Sequence, residues 1–150
     1  MEIDSDIIIV GGGLNGSLLA IAAAKIGFST IVLDSKGNHG DELNSFDGRS
    51  CALAASSVRL LKNLDIFEDI RGCSQPILDI EILDGKLVQG PSQFSLHFDN
   101  NEIHNGPMGY MVEDRFIQKS LFAQILATNQ IDYKFDSKVT EHYQQGGYIS

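Results

Sequence analysis

The sequence predicts an α/β fold in which a parallel sheet of the dinucleotide-binding type is joined to antiparallel strands in a second layer. The first indication is a pair of continuous apolar runs, Ile7–Val10 and Thr30–Leu33, typical of strands buried on both faces of a parallel sheet. The second is a glycine-rich turn and an apolar helix between these runs. The third is a change of pattern after Pro76, where apolar and polar residues alternate as they do in antiparallel strands.

Three glycines after the first strand, Gly11, Gly13 and Gly16, have the spacing Gly-x-Gly-x-x-Gly. Gly11 permits a tight turn, Gly13 allows the backbone to approach a pyrophosphate, and Gly16 lets the helix pack closely on the strand. The motif alone is a weak signal, but its position between a strand and a helix strengthens it. The spacing therefore predicts that this turn binds the pyrophosphate of a dinucleotide.

The following helix is predicted to span Ser17–Ile26, with Gly27 as its C-terminal stop. Its N-terminal N–H groups, beside the turn residues Leu14 and Asn15, would face the phosphates. Asp34 ends the second strand, at roughly the 20-residue spacing from the motif at which an acid binds ribose hydroxyls. The alternative is a glycine turn in an unliganded α/β domain, with Asp34 as an ordinary solvated residue.

The composition argues against several other classes of protein. The chain has 150 residues, 43% of them hydrophobic, enough for one domain with a substantial core. Its net charge of −9 opposes nucleic-acid binding, and no basic stripe is present for anionic lipids. Cys51 and Cys73 are expected to be reduced thiols, and the four histidines are scattered, so no metal site is predicted.

Two further signals concern membranes and targeting. No apolar run reaches about 18 residues, so no membrane-spanning helix is predicted. The N-terminus has no basic segment, and its apolar stretch is interrupted by glycines, so no signal peptide is predicted.

The remaining elements follow from the helical and strand periodicities of the apolar residues. The pattern predicts a loop over Ser35–Asp47, a helix with an apolar face from Leu53 to Leu64, a helical turn over Ile66–Ile70, a strand over Ile77–Leu83 buried on one face, a hairpin turn at Asp84 and Gly85, a strand around Phe94–Phe98, a linker over Asn100–Pro107, a helix over Asp114–Thr128, and strands over Ile131–Phe135, Val139–Tyr143 and Tyr148–Ile149.

Two arginines are candidates for binding anionic groups of the cofactor. Arg49 is expected just before a helix near the dinucleotide, where its guanidinium could form bidentate bonds, although such an arginine on its own would more often lie on the surface. Asp114 is a plausible N-cap of its helix. Arg115 follows in the first turn, where the helix dipole disfavours a cation. A bound anion would explain an inward Arg115, and a solvated Arg115 is an equal alternative.

Four segments occur together in an order that matches a known family: Gly11–Gly16, Asp34 at its strand end, Asp47–Leu53, and Gly109–Asp114. The chain resembles the amino-terminal part of FAD-dependent aromatic hydroxylases over all 150 residues. The likeness is to the ubiquinone-biosynthesis branch, the polyprenylphenol and methoxyphenol hydroxylases. It implies a Rossmann-like FAD-binding fold, and the Asp-x-Arg-x-x-Ala-Leu element is more specific than the glycine motif.

The resemblance implies roles for particular residues and ligands. The glycine motif would bind the ADP half of FAD, Arg49 would contact the flavin cofactor, and the helix from Asp114 and Arg115 would line the FAD site. The implied reaction is hydroxylation of a prenylated phenol by O₂, with NAD(P)H as reductant; no catalytic residue is identified. The resemblance implies a cytoplasmic protein. It leaves open a peripheral contact with the inner membrane or with a biosynthetic complex, and it leaves open a homo-oligomer.

Family members are longer, so the chain is expected to be a truncated portion that is inactive in isolation. Residues 1–75 and 106–150 would be an incomplete FAD-binding domain, and residues 76–105 would begin the substrate-domain sheet. Two alternatives remain. One is an NAD-dependent dehydrogenase domain, against which the Asp47–Leu53 element argues. The other is a non-catalytic dinucleotide-binding fragment.

Overall fold

The computed structural model describes residues 4–37, 45–86, 90–103 and 106–149. The chain divides into two compact units, of which unit 1 comprises residues 1–48 and 114–150 and unit 2 comprises residues 49–113. In chain order the elements are β1 (Ile7–Val10), α1 (Leu14–Lys25), β2 (Thr30–Leu33), β3 (Ser50–Ala54), α2 (Ala55–Asn63), α3 (Phe67–Arg71), β4 (Ser74–Ile77), β5 (Asp79–Lys86), β6 (Gly90–Asp99), α4 (Asn100–Ile103), β7 (Gly109–Glu113), α5 (Asp114–Leu126), β8 (Ile131–Lys134), β9 (Gln144–Gln145) and β10 (Tyr148–Ile149).

Unit 1 contains a parallel sheet in the order β1-β2-β8. Both apolar runs predicted as strands have the predicted bounds, and the expected α/β class with a parallel sheet and separate antiparallel strands is confirmed. Burial of β1 on both faces was a wrong expectation, because Ile8 and Val10 are 43% and 67% exposed. Among the described strands, β1 and β8 lie at the edges of this sheet, and β2 lies between them with a neighbour on each side.

Helix α1 begins at Leu14, three residues before its predicted start, and so includes Gly16 in its first turn. Gly13 is its N-cap with an extended backbone (φ −66°, ψ −169°), and no side chain caps it. Gly27 has the left-handed φ of +97° that favours glycine at a helix C-terminus, which confirms it as the stop. The alanines Ala20, Ala23 and Ala24 are buried, which permits close packing of α1 on its neighbours.

Unit 2 is built on an antiparallel sheet in the order β3-β7-β4. Strand β3 corrects the sequence interpretation, because Leu53 lies in this strand and Arg49 precedes a strand rather than a helix. Leu53 fits both the helical and the strand periodicity of the apolar residues, and its pairing with β7 shows that it belongs to a strand. The unit's buried side chains include Phe67, whose ring packs edge to face on Tyr110 with centroids 5.1 Å apart.

The alternating stretch after Pro76 forms the antiparallel pair β5–β6, which confirms the predicted change of strand type. Asp84 and Gly85 do not form the hairpin turn. They lie within β5 beside a register shift, and Gly85 pairs with Pro91 of β6. The predicted burial of one face is also wrong, because Leu78, Ile80 and Ile82 are all exposed.

Four smaller differences occur elsewhere. The linker Asn100–Pro107 contains the short helix α4, and α5 ends at Leu126, two residues before its predicted end. Val139–Tyr143 is not a strand, because this stretch pairs with no strand among the described residues. Gln144 and Gln145, which were not predicted as a strand, form β9 and pair with β10 in a tight hairpin with positive φ at both intervening glycines.

Candidate functional site

The glycine turn and Asp34 lie side by side at the carboxyl ends of β1 and β2. The N–H of Gly12 donates a hydrogen bond to Oδ2 of Asp34 at 3.1 Å, and the N–H of Gly11 donates to the carbonyl of Leu33 at 2.8 Å. The Asp34 backbone is held from the other side, since its N–H donates to the carbonyl of Lys134 at 2.9 Å. The predicted adjacency of the motif and the acid is therefore present in the fold.

The glycines of the turn are required for different physical reasons. Gly11 has a φ of +98°, which L side chains rarely adopt. A Cβ on Gly16 would lie 1.8 Å from the carbonyl oxygen of Gly11, so the helix approaches the turn only because this residue has no side chain. At Gly13 a Cβ would meet nothing within 4 Å. The fold itself therefore does not need glycine at position 13, and that space remains open to a ligand.

The N-terminus of α1 presents backbone donors to this open space. No described residue accepts a hydrogen bond from the N–H groups of Gly13, Leu14 or Asn15. The turn is fixed behind them by Ser17, whose buried hydroxyl donates to the carbonyl of Gly12 at 2.8 Å. Unsatisfied N–H groups at the positive end of a helix form a site for a phosphate or another anion.

An open groove of about 520 Å³ runs along the turn. It is lined by the five turn residues predicted to bind the cofactor and by apolar residues of β1 and α1: Gly11, Gly13, Leu14, Asn15, Gly16, Ile9, Val10 and Leu19. Asp34 does not line it and lies on the Gly12 side of the turn. The groove has the size of a small-molecule site, and its apolar wall with backbone donors suits a nucleotide.

Asp34 is an ionised acceptor at the strand end. Burial raises the pKa of its carboxyl, but hydrogen bonds from the Lys36 N–H, the Tyr133 hydroxyl and the Gly12 N–H outweigh burial, and the net pKa lies below the ordinary 3.8. Its Oδ1 accepts from Lys36 at 3.0 Å. A negative charge in a fixed orientation is therefore available to hydroxyl donors such as those of a ribose.

Tyr133, on β8, is a residue of this site that the sequence interpretation missed. Its hydroxyl lies 2.9 Å from Oδ2 of Asp34 and 3.1 Å from the carbonyl oxygen of Gly12. Burial has the largest effect on the pKa of Tyr133 and raises it, and the hydrogen bond and charge of Asp34 raise it further. The hydroxyl therefore stays a neutral donor. The available signal was topological: a strand paired in parallel with β2 brings the residues near its own end beside Asp34.

The other candidates lie outside this cluster. Arg49 is exposed, belongs to unit 2 and precedes β3, so its contact with the cofactor stays a prediction. Asp114 is the first residue of α5; it is 5% exposed and accepts a hydrogen bond from Nε2 of Gln118 at 2.7 Å. The half-buried Arg115 guanidinium lies 4.6 Å from the ring centroid of Phe116. For Asp114 and Arg115, too, a contact with the cofactor stays a prediction.

Neither a metal site nor a membrane span is found in the part of the chain that the structure describes. No group of three or more His, Cys, Asp or Glu side chains there is arranged to hold a metal ion. No helix there is both long and apolar enough to cross a membrane.

Comparison with known proteins identifies relatives by sequence, although no family model matches the chain. A ubiquinone hydroxylase UbiL of Rhodospirillum rubrum is 39% identical over 121 residues, which is 81% of this chain and 27% of the relative. A 3-demethoxyubiquinol 3-hydroxylase of Escherichia coli is 30% identical over 129 residues, or 82% of this chain and 30% of the relative. A digeranylgeranylglycerophospholipid reductase of Methanosphaera stadtmanae is 29% identical over 119 residues. The matched stretch is therefore shared by proteins named for different reactions.

Solved structures show the same fold. The p-nitrophenol 4-monooxygenase PnpA of Pseudomonas putida superposes on 99% of this chain and 36% of its own, with a TM-score of 0.75 and 19% identity. PqsL of Pseudomonas aeruginosa, described as a probable FAD-dependent monooxygenase, covers 97% of this chain and 36% of its own, with a TM-score of 0.72 and 13% identity.

The chain thus spans 27% to 30% of the length of the two hydroxylases that it matches. Together, these matches confirm the resemblance found in the sequence: the chain is similar in sequence to part of a ubiquinone hydroxylase and of a demethoxyubiquinol hydroxylase, and similar in fold to part of solved monooxygenases.

Proposed function

We propose that the glycine turn, the start of α1 and Asp34 bind the ADP half of FAD. The observation that supports this most directly is the row of backbone N–H groups at Gly13, Leu14 and Asn15, for which the described part of the chain supplies no acceptor. A pyrophosphate would accept from these donors, and the empty space beside Gly13 leaves room for its close approach. The residues present therefore fit FAD, the cofactor that the resemblance implies.

Each residue would have a distinct task in holding FAD. Gly11 and Gly16 keep the turn tight against the helix, Gly13 leaves the phosphate path open, and Asp34 accepts from the adenosine ribose. Arg49, Asp114 and Arg115 are proposed as further cofactor contacts, on the strength of the sequence resemblance alone. When bound, FAD supplies the redox chemistry, and the protein supplies binding, orientation and exclusion of water.

For the whole protein we propose hydroxylation of a prenylated phenol in ubiquinone biosynthesis, with O₂ as co-substrate and NAD(P)H as reductant. The names of the two hydroxylase relatives support this reaction class. Residues 1–75 and 106–150 would then contribute to the FAD-binding domain, and residues 76–105 to the substrate side. A cytoplasmic location is proposed, with a peripheral contact to the inner membrane as an option for a protein whose substrate is a lipid.

The test is equilibrium binding of FAD, ADP and NAD⁺ to the purified chain, followed by flavin fluorescence and by calorimetry. We expect FAD and ADP to bind and NAD⁺ to bind more weakly than FAD. Tighter binding of NAD⁺ than of FAD would favour the dehydrogenase alternative. Absence of binding by both FAD and ADP would contradict the proposed site.

A matched pair of glycine variants separates the site from the fold. Gly13→Ala places a methyl group where no protein atom lies within 4 Å and at an extended backbone that alanine tolerates. Gly72→Ala, at the end of α3, also meets no atom within 4 Å, and its φ of −67° suits alanine. We expect both variants to unfold near the wild-type temperature, and Gly13→Ala alone to weaken FAD and ADP binding, by about tenfold or more. Equal affinity in the two variants would contradict the proposal.

A further inference from the structure

We infer that Tyr133 is a positioning residue of the ribose site: it fixes one oxygen of Asp34 so that the other oxygen faces the nucleotide. This inference rests on the proposed function, since it concerns the same nucleotide site. It depends on the division of hydrogen bonds between the two carboxylate oxygens and on the packing that holds the tyrosine ring in place.

The two oxygens of Asp34 are not equivalent. Oδ2 accepts from the N–H of Gly12 at 3.1 Å and from the hydroxyl of Tyr133 at 2.9 Å. Oδ1 accepts from the N–H of Lys36 at 3.0 Å, its single donor among the described residues. Because a carboxylate oxygen accepts about two hydrogen bonds, Oδ2 is saturated and Oδ1 retains one acceptor site. The incoming ribose hydroxyl is therefore directed to Oδ1.

The single proton of the Tyr133 hydroxyl is best placed on the carboxylate. Its alternative acceptor, the carbonyl of Gly12 at 3.1 Å, already receives the hydroxyl of Ser17 at 2.8 Å. A bond to an ionised acceptor is shorter and stronger than one to a neutral carbonyl. Tyr133 therefore acts on the ligand through Asp34, and loss of its hydroxyl would allow the carboxylate to rotate.

The tyrosine ring is itself held by aromatic packing within unit 1. Its centroid lies 4.6 Å from that of Phe135 and 6.1 Å from that of Phe122 on α5, with the Phe122 ring at a steep angle. Phe122 and Phe135 also contact each other, with centroids 5.7 Å apart. Three mutually packed rings hold the hydroxyl at a fixed place beside Asp34.

The experiment measures the dissociation constant of ADP for the wild-type chain and for Tyr133→Phe, which removes only the hydroxyl. We expect binding to weaken about fivefold, because the carboxylate freed in the variant must be ordered when the ribose binds, and ordering one side chain costs about this factor. Tyr110→Phe is the matched control, because it removes a hydroxyl from another tyrosine packed on a phenylalanine, and we expect less than a twofold effect. An ADP affinity of Tyr133→Phe within twofold of wild type would overturn the inference.

Two further readouts distinguish positioning from a structural role. In an Asp34→Ala background, Tyr133→Phe should have no effect on ADP binding, because its partner is absent; an undiminished effect would overturn the inference. The second readout uses 2′-deoxy-ADP or 3′-deoxy-ADP, whichever binds the wild-type chain more weakly. The ratio of its dissociation constant to that of ADP should fall in Tyr133→Phe, and an unchanged ratio would also overturn the inference. If the wild-type chain fails to bind ADP, the proposed function fails first, which separates the two failures.

Discussion

The hydroxyl of Tyr133 lies 2.9 Å from Oδ2 of Asp34, although 99 residues separate the two in sequence. The contact joins the strand end of β8 to the strand end of β2 and, through the N–H of Gly12, to the glycine turn. The three segments of the proposed dinucleotide site are thus linked to one another by hydrogen bonds of the Asp34 and Tyr133 side chains. Changes to this cluster should therefore affect both stability and nucleotide binding.

The Asp34 carboxylate should make stability depend on pH in the acid range. Its pKa in the folded chain lies below the ordinary 3.8, because three hydrogen bonds outweigh the effect of burial. The contribution to the free energy of unfolding is therefore fully present above the unfolded-state pKa and is lost as the pH falls through the folded-state value. We expect the difference in the free energy of unfolding between wild type and Asp34→Asn to shrink as the pH falls from about 6 to about 3, because the carboxyl becomes protonated over this range.

A direct measurement is available for the same group. The carboxyl ¹³C resonance of Asp34 should titrate with a midpoint below 3.8. In Tyr133→Phe the midpoint should rise, because a hydrogen bond that favours the ionised form has been removed. A wild-type midpoint above the ordinary value would contradict the assigned hydrogen bonds.

Thr30→Val should stabilise unit 1. Thr30 is 1% exposed, and its hydroxyl has no hydrogen-bond partner in the described part of the chain. Valine has nearly the same shape and removes the unsatisfied hydroxyl, so the free energy of unfolding should rise by about 1 kcal/mol. Thr128→Val is the matched control, because it breaks a 2.7 Å hydrogen bond to the carbonyl of Gln124 and should destabilise. Urea unfolding of both variants measures the two effects, and a loss of stability in Thr30→Val would show that its hydroxyl has a partner.

Arg49→Ala should weaken FAD binding by about 1–3 kcal/mol, the range of a charge-assisted hydrogen bond. The prediction rests on the family resemblance of the Asp47–Leu53 element. Arg59→Ala is a control in the same unit, because Arg59 is exposed on α2 and its replacement by alanine removes the same charge. Calorimetric titration with FAD compares the two variants, and equal affinities would contradict a contact between Arg49 and FAD.

The sequence was sufficient to predict the first βαβ unit because local and global signals agree there. Apolar runs, the glycine turn and Gly27 each favour the same element bounds, and β1 and β2 match them. Beyond this unit the pattern was ambiguous, since Leu53 satisfies a helical face but pairs in β3, and Asp84 with Gly85 resembles a turn but lies in β5. In both cases strand pairing, with the distant β7 for Leu53 and with the next strand β6 for Gly85, overrode the local preference.

The site was predictable only in its backbone part. The roles of Gly11 and Gly16 follow from sterics and spacing, and the open space at Gly13 agrees with them. Tyr133 could not be predicted from spacing, because its role depends on the register of β8 against β2. Gly12 was missed for the same reason, since the atoms that exclude a side chain there belong to Tyr133 and Asp34.

Gly12 and Tyr133 should therefore show strong coupling in a double-mutant cycle. A Cβ on Gly12 would lie 1.8 Å from the hydroxyl oxygen and 2.4 Å from the Cζ atom of Tyr133, and the aromatic packing on Phe135 prevents the ring from yielding easily. Gly12→Ala should cost about 2–3 kcal/mol in the wild type, as overpacking does. Tyr133→Leu shortens the side chain and removes both clashing atoms, leaving the movable carboxylate oxygen of Asp34 at 2.7 Å. In that background the cost of Gly12→Ala should fall by about 1 kcal/mol or more, whereas costs that add to within about 0.5 kcal/mol would show that Tyr133 does not exclude a side chain at Gly12.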